Sequence, residues 1–252
     1  MTNIIVHGCY GRMGRCVCQM AEDANVSVAA GVDANASTQS PEKFPIFAKI
    51  SDCGIPADVI VDFSNPAAVP ALLAYASAKK IPVVLCTTGL SDEETELVMK
   101  AAEQIPIFKS ANMSVGVAYL MKAVKDAAAF FLDAGFDAEI IEKHHNQKID
   151  APSGTALLLA DAVNDAAGGM EYVCSRAAVR KPRGKKEIGI HSMRGGTIVG
   201  EHTVIFAGHS ETLEFTHKAE SREVFAAGAL NAAKFLAGKE PGLYDMNQMI
   251  KG

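Results

Sequence analysis

With 252 residues, 49% of them hydrophobic and 21% charged, and a formal net charge of −5, the chain has the composition of one large globular domain or two modest ones. A chain of this size buries roughly 70 to 75% of its unfolded surface. Its mild acidity and apolar content exclude disorder and a polyanion-binding surface, so nucleic acid is not an expected partner. The N-terminus runs into Ile4-Ile5-Val6 without a basic leader, and no apolar stretch approaches the roughly 20 residues of a membrane span. A soluble, unprocessed, cytoplasmic protein with no membrane partner is expected.

In chain order, the β-branched run at residues 4 to 6 predicts a strand. Gly8 opens a glycine-rich turn, and apolar periodicity through Cys16, Val17, Met20 and Ala21 predicts a helix. Strands follow at Val26 to Val32, Val59 to Phe63, Val83 to Cys86 and Ile107 to Ser110, with helical segments at 66 to 79 and 91 to 104. Apolar runs without polar alternation, separated by helices, fit a parallel sheet covered on both faces.

After Asn112 the pattern changes. A helix from Ser114 to Leu132 leads to a strand at Ala138 to His144, a polar loop and a helix opening near Ser153. Strands without intervening helices are predicted at Lys186 to Ser192, Thr197 to Phe206 and Glu211 to His217, then a last helix from Arg222 to Leu236 with Gly238 as its stop. Strands in succession point to an antiparallel or mixed sheet, hence an α+β second domain. The basic cluster Arg180 to Lys186 reads as a solvated loop beside a strand.

Cys9, Cys16, Cys18, Cys53, Cys86 and Cys174 show no C-x-x-C pairing and read as buried free thiols of a reducing compartment, with no metal site. Gly8-Cys9-Tyr10-Gly11-Arg12-Met13-Gly14 sits between the first strand and first helix. There the diphosphate of a dinucleotide can meet backbone N–H groups and the positive end of a helix. Asp33 lies 19 residues after Gly14, at the end of the second strand, where an acid accepts from ribose hydroxyls and repels a 2′-phosphate. Ala34 offers no offsetting cation, so NADH is the expected preference over NADPH, with Arg12 or Arg15 as the groups able to reach a 2′-phosphate. The loops Cys86-Thr87-Thr88 and Ser110-Ala111-Asn112-Met113 follow later strands and are the expected nicotinamide side, with helix capping as their bland alternative.

The densest polar constellation is Glu142 to Ala156. Either Ser153 or Asp150 can cap the following helix, leaving Gly154 and Thr155 to present N–H groups to a carboxylate. His145 and Lys148 can add charge there, and His144, with an imidazole titrating near neutrality, can move a proton as hydride arrives.

In this order, Gly8 to Gly14, Thr87-Thr88-Gly89, Asn112 to Gly116, Glu142 to Thr155, Ile198 to His202, Thr216 to Ala219 and Ser221-Arg222 resemble the 4-hydroxy-tetrahydrodipicolinate reductase family over about residues 4 to 245. The chain departs from the usual pattern at Cys9-Tyr10, Cys86 and Met113.

The resemblance implies a Rossmann-type dinucleotide-binding domain (1–113 and 220–252), completed by the C-terminal helix, and an inserted substrate-binding and tetramerisation domain (114–219). The implied reaction is NAD(P)H-dependent reduction of 4-hydroxy-tetrahydrodipicolinate to tetrahydrodipicolinate, with loss of water, on the route to diaminopimelate and lysine. The family pattern makes His144 the general acid/base and Lys148 a second proton donor. His145, Ser153, Gly154 and Thr155 become residues for a small dicarboxylate substrate. Gly8, Cys9, Tyr10, Gly11, Arg12, Met13, Asp33, Cys86, Thr87, Thr88, Ser110, Ala111, Asn112 and Met113 become residues for the cofactor. Another two-domain dehydrogenase of amino-acid-like substrates, or a non-catalytic NAD(H) sensor, are the competing readings. Hinges are expected at Asn112 to Gly116 and Ala219 to Arg222.

Overall fold

A computed structural model describes residues 1–36 and 43–251. It divides the chain into one unit of Met1–Val115 with Arg222–Gly252, and another of Gly116–Ser221.

The first unit is built on seven strands, β1 (Thr2–His7), β2 (Val26–Val32), β3 (Ile46–Phe47), β4 (Val59–Asp62), β5 (Val83–Leu85), β6 (Pro106–Lys109) and the late strand β12 (Gly242–Tyr244). All are parallel, in the order β12-β6-β5-β4-β1-β2-β3. Every residue of β4 and β5 is buried, as strands covered on both faces require. Helices α2 (Val69–Lys79) and α3 (Asp92–Ala102) pack Leu72, Leu73, Val98 and Ala101 against Ile5, Ile60, Val83 and Ile107 on one face. Helices α1 (Arg12–Met20) and α6 (Glu223–Leu236) contact each other and the central strands. Because chain order runs outward in both directions from β1 and β4, a crevice opens at the carboxyl ends of that pair.

The second unit has the strand order β11-β10-β7-β9-β8, from β7 (Asp137–His144), β8 (Glu171–Val173), β9 (Glu187–Arg194), β10 (Gly200–Ala207) and β11 (Thr212–Ala219). β7 pairs parallel with β9 and antiparallel with β10, so the sheet is mixed. β9 and β10 follow one another in sequence but are not neighbours, since β7 lies between them. Helices α4 (Val115–Phe131) and α5 (Gly154–Ala167) cover one face, where Val124, Leu159 and Val163 meet Ile140, Ile190, Val204 and Phe206.

Several expectations need correction. Arg222–Leu236 does not hold the last helix, because β12 and α7 (Met246–Lys251) follow it. Gly238 adopts φ +77°, a stop that lets the chain return to pair with β6. Only Cys9 and Cys53 are buried, while Cys174 is exposed and the other three cysteines are half-buried. The short strands β3 and β8 lie in segments without a predicted element.

Candidate active site

The glycine turn is enforced by close packing. A Cβ on Gly8, at φ +80°, would stand 2.6 Å from the Phe63 carbonyl oxygen, and one on Gly14 would stand 2.1 Å from the Gly8 oxygen. Gly11 is the N-cap of α1 and provides no side-chain cap, so the helix start presents backbone donors with only a glycine before them. That arrangement suits an anion.

Two cavities flank this turn. The first, about 530 Å³, is lined by His7, Gly8, Tyr10, Gly11, Asp33 and Lys49 among others. Asp33 is held in place there: Tyr10 N donates to its Oδ2 at 3.0 Å, while Asn35 N and Nδ2 donate to its Oδ1 at 3.0 and 3.3 Å. The second, about 620 Å³, is lined by Arg12, Met13, Cys86 to Thr88 and Ser110 to Met113, together with Phe63 to Pro66 and Phe225. In its loop, Ser110 Oγ donates to the Asn112 carbonyl at 3.0 Å and Asn112 Oδ1 accepts from Ser114 N at 2.8 Å.

All expected cofactor residues except Cys9 line one of these cavities. The Cys9 side chain is 3% exposed and turns toward Gly31 of β2, so it shapes the turn from beneath. Arg15 does not line the first cavity: its Nε donates to Tyr10 O at 2.9 Å and its guanidinium lies 5.6 Å from the Tyr10 ring centre. Among the described residues the cation lining the first cavity is Lys49, which sequence reasoning missed. Phe63, Ser64 and Asn65 were missed too, although they follow β4 as Cys86 follows β5.

In the second unit, β7 alternates so that Ala138, Ile140, Glu142 and His144 face the helix-covered side. Glu142 is fully buried and collects donors: Arg194 Nη1 and Nη2 at 2.8 and 2.7 Å, His144 Nδ1 at 2.5 Å and Ser153 N at 3.1 Å. Burial opposes its ionisation, but hydrogen bonds from Arg194, Ser192 and His144 outweigh burial and bring its pKa to about 2. The carboxylate is therefore ionised at neutral pH. An acceptor-only partner at Nδ1 fixes the proton there and leaves Nε2 for chemistry. Burial lowers the His144 pKa, Glu142 pulls the other way, and Lys148 and Arg194 add to the lowering. The net lowering favours the neutral imidazole in the resting site.

Arg194 also donates to Asp150 O at 2.6 Å. The Glu142–Arg194 pair thus ties the loop at His144, Asp150 and the Ser153 amide. Ser153 is the cap, accepting from Ala156 N at 3.2 Å, and its side chain is buried and also touches His202 Nε2 at 3.1 Å. Asp150 instead pairs with Lys148 at 2.8 Å, which lowers the acid's pKa. A Cβ on Gly154 would meet nothing within 4 Å, so there is room over the start of α5. Thr155, in the first turn of α5, and His145, just beyond the end of β7, are both half-buried. Arg194 escaped the sequence reading, and His202 was read only as the end of the motif Ile198 to His202, without a site role; the i, i+2 spacing of Glu142 and His144 on one strand face was the available signal.

The dihydrodipicolinate reductase models match along the chain, the N-terminal one over residues 2–113 and the C-terminal one over 116–250. The chain belongs to the dihydrodipicolinate reductase family. A 4-hydroxy-tetrahydrodipicolinate reductase of Caldanaerobacter subterraneus is 51% identical over 253 residues, covering 100% of this chain and 99% of the relative. One of Clostridium tetani is 49% identical over 252 residues, covering 99% and 97%. The fold of dihydrodipicolinate reductase is also found in the dipicolinate-bound enzyme of Paenisporosarcina sp. TG-14, with a TM-score of 0.80 at 24% identity, covering 97% of each chain. Among the described residues no helix is long and apolar enough to cross a membrane.

Proposed function

We propose that this chain reduces 4-hydroxy-tetrahydrodipicolinate to tetrahydrodipicolinate with loss of water, using a reduced nicotinamide dinucleotide, in diaminopimelate and lysine biosynthesis. The observation that carries the reading is the buried Glu142–His144 pair beside the uncrowded start of α5, in a chain whose relatives of that name match from end to end.

When bound, the dinucleotide supplies the hydride. Gly8 to Met13 would hold its diphosphate by backbone donors and the α1 dipole, since a Cβ at Gly8 or Gly14 would close the turn. Asp33 would take the adenosine ribose hydroxyls and disfavour a 2′-phosphate, which supports NADH as the preferred donor; Lys49 in the same cavity narrows that preference. Cys86 to Thr88 and Ser110 to Met113 would line the nicotinamide half.

In the second unit, the N–H groups of Gly154 and Thr155 and the side chains of His145 and Lys148 would receive the carboxylates of the substrate, while Ser153 shapes the helix start. A dianion placed there favours the protonated form of His144, so the neutral resting imidazole becomes a general acid at Nε2, with Lys148 as second proton donor. Glu142 keeps Nδ1 protonated and offsets the imidazolium charge.

A homotetramer is proposed on the uncovered face of the mixed sheet. Glu139, Ile141, Lys143, Glu201 and Ile205 stay half-buried there, and Lys143 reaches across to Glu201 at 2.8 Å. The deciding experiment is dinucleotide oxidation followed by absorbance with freshly generated substrate. Turnover that needs both components supports the reading, and no turnover by folded protein overturns it.

A further inference from the structure

The carboxyl ends of β1 and β4, where the strand order reverses, hold a polar network that the reaction does not itself call for. Asp62, the last residue of β4, is 0% exposed. Strand register sets it beside His7, the last residue of β1. His7 Nδ1 lies 2.7 Å from its Oδ1, which also accepts from Ser64 Oγ at 2.6 Å and from Ser64 N at 3.3 Å. Thr87, beyond the end of β5, donates its hydroxyl to Oδ2 at 2.6 Å. One buried carboxylate thus gathers donors from three adjacent strand ends. Ser64 lines both cavities, His7 the first and Thr87 the second.

The consequence lies in the direction of the protons. A carboxylate only accepts, and a serine or threonine hydroxyl has one proton to give. With those protons directed inward to Asp62, the Ser64 and Thr87 oxygens offer lone pairs to the cavities, and His7 is left with Nε2 as its outward nitrogen. A floor of this polarity suits ligand groups that donate, namely ribose hydroxyls and a carboxamide N–H, and it disfavours phosphate. The anion-receiving groups lie instead at the start of α1.

We infer that Asp62 is a positioning residue for the dinucleotide: it sets Ser64 and Thr87 as acceptors for the ribose and carboxamide donors of the cofactor. The inference rests on reading the two cavities as the dinucleotide site.

The test is a fluorescence titration of the purified full-length chain with NADH, which reads binding without turnover. Asp62→Asn puts an amide donor where a carboxylate oxygen stood, so one of the inward hydroxyls must turn. A rise in the NADH Kd of at least tenfold is expected, with the substrate KM changed less than twofold. Thr87→Val removes the acceptor and should raise Kd similarly, whereas Thr87→Ser restores the hydroxyl and should bring Kd back to within about threefold of wild type. Should Asp62→Asn fail to fold, the Val and Ser pair at position 87 decides the matter alone. Wild-type Kd in Thr87→Val, or equal loss in the Val and Ser variants, overturns the inference. Failure of the unsubstituted chain to bind NADH overturns the reading of the cavities beneath it.

Discussion

Replacing Glu142 by Gln changes almost no volume and tests whether the buried charge organises the loop. In the native protein its two oxygens meet four donors from Arg194, His144 and Ser153. An amide keeps one oxygen but turns the other position into a donor, which faces His144 and Arg194 Nη1 if it replaces Oε2, or Ser153 N and Arg194 Nη2 if it replaces Oε1. Facing His144, it requires the imidazole to move its proton to Nε2, which can then no longer take one up. In either orientation it sets N–H against the N–H of Arg194 and leaves a guanidinium without its anion. Weakening one partner of a buried ion pair while retaining part of its hydrogen bonding costs about 2 to 4 kcal/mol. The loss of tautomer control is expected to lower kcat by about 10²- to 10⁴-fold, within the range of general acid catalysis. Urea unfolding gives the first quantity and single-turnover kinetics the second, with NADH Kd unchanged within twofold because the substitution lies in the other unit. A Glu142→Gln protein with native stability and native kcat would refute the argument that this charge holds the histidine and the loop.

Lys148→Ala removes a cation from the carboxylate-receiving loop and frees Asp150, so substrate KM should rise at least tenfold in steady-state kinetics, with kcat also reduced. His202 is held at a pKa of about 4 by burial, with His144 adding to the lowering. Its depressed folded value means that the unfolded chain takes up the extra proton first. Stability is then complete above the ordinary histidine value of 6.5 and falls as pH drops from there toward 4. The loss from this group is roughly 1.4 kcal/mol at pH 5.5, measurable as a shift in the urea midpoint between pH 7.5 and 5.5 and smaller in a His202→Gln variant. The lowered values of His144 and His217 act in the same direction. In Gly228→Ala the new Cβ would stand 1.7 Å from the Met113 carbonyl oxygen. Backbone must shift under α6, and destabilisation of about 1 to 3 kcal/mol with weakened NADH binding is expected by thermal melting and titration.

Much of this was legible from the chain alone because the signals were local. The run Val26 to Val32 has no polar residue but Ser27, and the strand occupies those residues. The histidine loop announces itself by composition, and Ser153 precedes its helix as a cap should. What escaped depends on register between distant segments. Arg194 reaches Glu142 from 52 residues away because β7 and β9 run parallel with His144 opposite Arg194. His7 and Asp62, 55 residues apart, meet by the same kind of pairing. The two-residue β3 and three-residue β8 and β12 are too short to show a period, and each is held by a neighbouring strand.

Proton transfer by His144 is tested most directly by a single-turnover reaction of His144→Ala, mixing NADH-loaded protein with freshly generated substrate and following nicotinamide absorbance. The rate should fall about 10²- to 10⁴-fold below that of the unsubstituted chain, with NADH Kd unchanged within twofold. An unslowed single turnover would contradict that role.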